Sequence, residues 1–148
     1  MKIAIAADHA GYHMKESLKK YLHEDYEIID FGTEANTVAD YPQVTIKAAL
    51  AVSTGECELG VFICGTGIGS SIAANKVKGI RAALCHTTDF ARLSKRHNNA
   101  NVIVLPGRFI ADCYAWEIVQ TWLQTQFEGG RHQRRVEQIA AYEEGNQI

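Results

Sequence analysis

The sequence predicts a doubly wound α/β fold with three layers, a five-stranded parallel sheet between helices and an extra C-terminal helix. Three observations carry that expectation. Short β-rich runs alternate with helical stretches along the whole chain. The run 59–65, LGVFICG, is continuously apolar, which suits a strand buried on both faces of a parallel sheet. Glycine or proline closes several of the runs, at Gly11, Gly32, Gly65 and Pro106-Gly107.

The elements follow in order. KIAIAAD (2–8) is the first strand, bounded by Asp8, His9 and Gly11, and 13–24 has helical spacing through Met14, Leu18, Tyr21 and Leu22. YEIIDFG (26–32) is the second strand, and Pro42 opens a helix through Val44, Ala48, Ala49 and Val52. The third strand, 59–65, leads into a short helix over 68–76. GIRAALC (79–85) and NVIVLPG (101–107) are the fourth and fifth strands, followed by helices over 87–96 and 110–124. Gly129-Gly130 breaks the pattern before a last helix over 131–144. Right-handed crossovers then put ligands beyond the carboxyl ends of the strands.

Composition narrows the function classes. A chain of 148 residues, 47% hydrophobic and 22% charged, suits one domain over 1–148. At that length about 68–70% of the unfolded surface is buried, so neither disulfides nor a structural metal are needed. Fifteen Lys+Arg against seventeen Asp+Glu give a net charge of −2, which offers no global field for nucleic acid or membrane. The N-terminal apolar stretch, Ile3 to Ala7, is too short for a signal core or a membrane span. Cys57, Cys64, Cys85 and Cys113 form no CxxC pair, so free thiols in a reducing cytoplasm are expected. Cys85 and Cys113 read as buried small hydrophobes.

Chemistry concentrates in VFICGTGIGSSIAANK (61–76). A buried strand ends at Cys64, and Gly65, Thr66, Gly67, Ile68 and Gly69 lead straight into a helix. Such a turn can aim its amides at an anion, with the helix dipole behind them. It lacks the GK[ST] of a Walker A loop, and Ser70 replaces the last glycine of a dinucleotide fingerprint. A bare βα turn is the plain alternative. A thiol at this strand end is placed to favour its thiolate, as nucleophile or base, although a structural cysteine would also fit. Asp8-His9 and Arg108 should share its rim, and together these groups suit an anionic ligand and proton transfer.

Two further groups lie elsewhere in the chain. In RHQRR (131–135), Arg131 and Arg135 share a helix face and could clamp a phosphate, or simply be a solvated surface. No aromatic platform interleaves them for nucleic acid. SKRHNNAN (94–101) puts His97, Asn98 and Asn99 between the fourth helix and the fifth strand, on the rim opposite Cys64. Alone, His97 reads as a cation closing a helix C-terminus. To act with Cys64, it must come from a displaced loop or from a neighbouring subunit, and the second is expected. A thiol-dependent transferase or hydrolase and a non-catalytic phosphosugar- or nucleotide-binding module remain alternatives.

Together, DHAG (8–11), DYP (40–42), ICGTGIGSSIAANK (63–76), GIRA (79–82), HNNANV (97–102) and EGGRHQRRV (128–136) resemble the ribose-5-phosphate isomerase B family. That family also includes galactose-6-phosphate and allose-6-phosphate isomerases. The resemblance runs from Lys2 to Tyr142. It implies a Rossmann-like domain and an aldose–ketose isomerase needing no metal or cofactor, working as a homodimer or homotetramer with sites between subunits. The family's thiol base falls on Cys64, and its ring-opening histidine on His97, with Asp8 as a polar neighbour. The substrate-binding pair falls on Asp8 and His9. The anion loop falls on Gly65 to Gly69, with Thr66 adding a hydrogen bond to the enediolate. Asn98 is the matching asparagine, and the phosphate arginines fall on Arg108, Arg131 and Arg135.

Some members carry another residue at the thiol position and a glutamate later in the loop. Cys64 and Ser70 align this chain with the thiol branch. Galactose-6-phosphate isomerases pair two different chains, so a full set of residues here favours the ribose 5-phosphate/ribulose 5-phosphate reaction. Allose 6-phosphate and galactose 6-phosphate stay open as substrates, and Tyr41 with the 33–40 loop is the expected specificity wall.

Overall fold

Residues that alternate in a strand must face opposite layers, and the apolar runs of this chain are long enough to feed both. The computed structural model describes all of residues 1–148. The strands are β1 (Lys2–Ala7), β2 (Glu27–Asp30), β3 (Leu59–Cys64), β4 (Ala82–Leu84) and β5 (Val102–Pro106). The helices are α1 (Tyr12–Leu22), α2 (Tyr41–Ser53), α3 (Ile68–Ala74), α4 (Thr88–Asn98), α5 (Asp112–Gln124) and α6 (Arg131–Glu143). All pairings are parallel, in the order β2-β1-β3-β5-β4. All eleven expected elements are present.

The sheet separates two cores. Ile3, Ile5, Val61, Ile63, Ile103 and Leu105 face α1, α4 and α5, where Leu18, Ala91 and Trp122 meet them. Ala4, Ala6, Phe62, Val102 and Val104 face α2 and α3, where Ala48, Ala49 and Ala74 close the second layer. The small residues of β1 on that face let α2 lie close to the sheet. Helix α6 adds to the outside of α4, joined by the Glu128 amide donating to the Arg96 carbonyl at 2.9 Å.

Three details differ from the sequence reading. Strand β4 is shorter than 79–85, because the Arg81 amide turns to the Asn101 Oδ1 at 2.8 Å instead of joining a neighbouring strand. His97 and Asn98 belong to the last turn of α4 rather than to a loop after it. That helix ends at Asn98 and is capped by Asn99, which is in the left-handed region at φ 46°. Cys113 is exposed in the first turn of α5, since the buried face of that helix is taken by Ala115, Ile118, Val119 and Trp122. Cys85 is buried as expected, and burial pushes its thiol up to about 11.

The strand order reverses beside β1, with β2 on one side and β3 on the other. The crevice at such a reversal, beyond the carboxyl ends of the strands, is where this class of fold holds ligands. Ala7 pairs with Ile63 and Cys64 with Pro106, so the residues after β1, β3 and β5 emerge together.

Candidate active site

At that rim, Asp8 is 7% exposed and its Oδ1 accepts the amides of Ala10 (2.9 Å) and Gly11 (3.1 Å). One carboxylate oxygen therefore fixes the turn that begins α1. His9, next in the chain, is exposed and borders a cleft of about 290 Å³. Tyr12, His13 and residues 34–38 form the rest of that cleft.

Cys64 ends β3 and is 4% exposed. Its carbonyl accepts the Gly107 amide at 2.9 Å, and the Gly65 carbonyl accepts the Arg108 amide at 3.0 Å. The Arg108 guanidinium lies along the loop, its Nη1 3.3 Å from where a β-carbon on Gly65 would stand. Thr66 is exposed, and its Oγ1 accepts the Ile68 amide at 3.2 Å. Gly67 has φ 76°, and a β-carbon there would fall 2.4 Å from Leu84 Cδ1. Only glycine combines that backbone with that approach. The Tyr41 ring packs over Gly69, 2.6 Å from a β-carbon position. Behind the loop, the Thr45 hydroxyl donates to the Ser70 Oγ at 3.0 Å. Asp8, His9, Cys64, Gly65 to Gly69 and Arg108 thus share one rim.

The other expected residues gather at the opposite rim. The Gly60 amide, at the start of β3, donates to the Asn101 carbonyl, which fixes the end of α4 beside the beginning of the sheet. At about 3.3 Å per residue, roughly 13 Å of β3 separates that level from Cys64. There the His97 and His132 rings stack with centroids 4.2 Å apart and planes at 11°. Glu128 ties the group together. Its Oε2 accepts the Arg96 Nε, and its Oε1 lies 3.9 Å from His132 Nε2 and 4.0 Å from Arg131 Nη1. Arg81 donates to the carbonyls of Asn98 and Asn99, both at 3.1 Å from Nε, and so holds the turn in which Asn98 sits. Arg135 lies one turn along α6 from Arg131, and both are exposed.

One chain therefore does not bring His97, Asn98, Arg131 and Arg135 to Cys64. The arginines expected at a single phosphate pocket divide, with Arg108 at one rim and the other two at the opposite one. For His97 and Asn98 the reason is topological, since a helix that crosses back between parallel strands must end at the rim where the next strand begins, and the packing of α6 on α4 takes Arg131 and Arg135 to the same rim.

The family model for ribose/galactose isomerases matches residues 3–139. The chain belongs to this family. It is 46% identical over 144 residues to ribose-5-phosphate isomerase B of Escherichia coli, covering 97% of each chain. Among solved structures, ribose-5-phosphate isomerase B of Clostridium thermocellum superposes with a TM-score of 0.95 at 49% identity, over 98% of this chain and 99% of that one. The Mycoplasma genitalium enzyme, solved with bound ribulose 5-phosphate, superposes with a TM-score of 0.90 at 41% identity, over 97% and 96% of the two chains. The family assignment drawn from the motifs is thereby shown, as is the fold.

Sequence reasoning missed His132. It lies inside RHQRR, where the arginines draw attention, but it is 5% exposed and its Nε2 has no hydrogen-bond partner. Burial, with His97 and Arg131 nearby, holds its imidazole below the usual value. The available signal was its place two residues after Gly129-Gly130, which turns it inward toward α4.

Proposed function

We propose that the chain, as one domain over 1–148, interconverts ribose 5-phosphate and ribulose 5-phosphate through a cis-enediolate, in the cytoplasm and without metal or cofactor. The observation that carries this reading is the Cys64 thiol, nearly buried at a strand end and followed directly by a glycine turn, in a chain similar to an enzyme solved with ribulose 5-phosphate. His97, with Asp8 as a polar neighbour, moves the ring hydroxyl proton and opens the furanose. The Cys64 thiolate takes the C2 proton and returns it to C1, a transfer worth about 10²–10⁴-fold when the base is positioned. Amides of Gly65 to Gly69 and the Thr66 hydroxyl hold the enediolate oxygen, roughly 2.7–4 kcal/mol for each well-aimed donor. His9, Asn98, Arg108, Arg131 and Arg135 bind the sugar phosphate, whose binding energy positions the reacting carbons.

The residues divide between rims, so a homodimer or a tetramer of such dimers completes each site. The exposed surface beside β4 supports a second copy as the partner. Ile68 and Ile72 of α3 are 54% and 58% exposed, and Phe90 and Leu93 of α4 are 55% and 41% exposed. They flank an edge strand whose Ala83 and Leu84 are only partly covered. Leu84 packs against Gly67 of the glycine turn, and from Leu84 the surface runs past Phe90 and Leu93 to Asn98. A two-fold axis through it would set the His97 end of one chain against the Cys64 end of the other.

Isomerisation in deuterated solvent tests the reaction, since a proton held on the Cys64 thiol between C2 and C1 exchanges in part with solvent before it is returned. Deuterium at C1 of ribulose 5-phosphate or at C2 of ribose 5-phosphate is the expected result. A binding module would give neither, and a thiol transferase or hydrolase would instead trap a covalent adduct on Cys64. Allose 6-phosphate and galactose 6-phosphate are the alternative substrates, and the Tyr41 ring packed over Gly69 is the proposed wall against a sixth carbon. Rates across a panel of aldose phosphates separate the three substrates.

A further inference from the structure

We propose that His97, Glu128 and His132 form a site for a divalent transition metal of the zinc type, and that its occupancy inhibits the enzyme. The ligand atoms of these three side chains all lie within 4.8 Å of one another. Two imidazoles and one carboxylate form a donor set that suits zinc, and three protein ligands leave a fourth position for water. Ligand atoms around a tetrahedral zinc stand about 3.4 Å apart, given bonds of about 2.0–2.1 Å. His132 Nε2 and Glu128 Oε1 already stand 3.9 Å apart, and binding opens the stack, one imidazole turning out of its 11° alignment so that both in-plane lone pairs meet at the ion.

An independent observation points into the same space. His132 Nε2 is buried without a hydrogen-bond partner, although buried nitrogen normally finds one. A metal at this place satisfies it. Glu128 can serve both roles, because Arg96 occupies Oε2, while Oε1 faces His132 Nε2 at 3.9 Å and Arg131 Nη1 at 4.0 Å. The backbone is also fixed on both sides, with His97 in the last turn of α4 and His132 in the first turn of α6. The inhibitory effect rests on the ring-opening role proposed for His97, whereas the binding does not. A metal on the imidazole removes the lone pair that would accept the sugar proton.

Titration of the full-length protein with Zn²⁺ and with Co²⁺ as a spectroscopic probe tests the site. One ion per chain is expected, with tetrahedral cobalt bands and no thiolate-to-cobalt charge transfer. His132→Gln and Glu128→Gln should each weaken binding about tenfold or more. Glu128 is exposed, so the second variant remains informative if the first fails to fold. Binding that survives both substitutions, or a thiolate signature from Cys64 or Cys113, overturns the proposal. In the isomerase assay, Zn²⁺ should slow the wild type reversibly, with recovery on adding a chelator. Each variant should keep its own metal-free rate at the same Zn²⁺ concentration. A protein with no isomerase activity would defeat the functional reading while the isotherm and the cobalt spectrum still decided the site.

Discussion

Cys64 is 4% exposed, yet it is the last residue of its strand and the chain turns directly after it through Gly65 and Gly67 into α3. A purely structural cysteine would tolerate alanine at the cost of a small cavity. A base would not. Cys64→Ala is expected to lower kcat about 10²–10⁴-fold. KM should change little, because the residues proposed to hold the phosphate lie elsewhere; near-wild-type turnover would remove Cys64 from the mechanism. Legibility at this scale depended on sequence distance. Asp8, Cys64 and the glycine turn could be read because strand, thiol and turn are consecutive, so local rules place them at one rim. His132 could not, since its character comes from a ring on another helix and from burial that α6 alone does not imply. Cys113 was misread for a related reason: an amphipathic stretch shows that a buried face exists without fixing which side of one residue it includes.

Helix α1 and strand β2 are joined by an ionic cluster at the edge of the sheet, away from the glycine turn. Lys15 is 2% exposed, and its Nζ donates to both carboxylate oxygens of Asp30, at 3.0 and 2.8 Å, and to the Thr33 carbonyl at 2.9 Å. Lys19 adds a second ammonium to Asp30 at 2.7 Å. Burial would raise the Asp30 carboxyl, but these ammonium groups and the Gly32 amide hold it below the usual carboxylate value. Removing the carboxylate leaves Lys15 buried without its partner, so Asp30→Ala should cost about 3 kcal/mol at neutral pH. The sign with pH follows from the lowered value in the folded state. Stabilisation is complete above about pH 5, where the unfolded carboxyl is fully ionised, and fades as pH falls through the lower folded value. Urea unfolding of both proteins at neutral and acid pH should show the gap narrowing toward low pH, and a gap that stays constant contradicts the account. The elements themselves were legible because their apolar periods are strong. The ends of β4 and α4 were not, because side-chain acceptors decide them: Asn101 diverts the Arg81 amide, and Arg81 caps the carbonyls of Asn98 and Asn99.

At the scale of the molecule, the parallel sheet is both what makes the site possible and what divides it. Each strand delivers its reactive end to one rim, and each crossover helix returns the chain to the other. That rule places His97 away from Cys64, and it could be read from element order alone. The split of the arginines follows from the same rule applied to α6, but it also needs the docking of α6 on α4, and no local pattern specifies that contact. Two copies related by a two-fold axis would answer the division, each lending its His97 rim to the other's Cys64 rim. Cys64→Ala and His97→Ala chains should then be inactive separately and active when mixed. About half of the dimers formed by random exchange pair one chain of each kind, and each of those contains one intact site, with Cys64 from one chain and His97 from the other. The mixture should therefore recover roughly a quarter of the wild-type activity, provided exchange is complete and the interface treats both chains alike. A site built within one chain by a displaced loop would leave the mixture inactive. Subunit exchange under mild denaturant, followed by the isomerase assay and by native mass measurement of the mixed dimer, distinguishes the two arrangements, and inactivity despite demonstrated mixed dimers rules out the shared site.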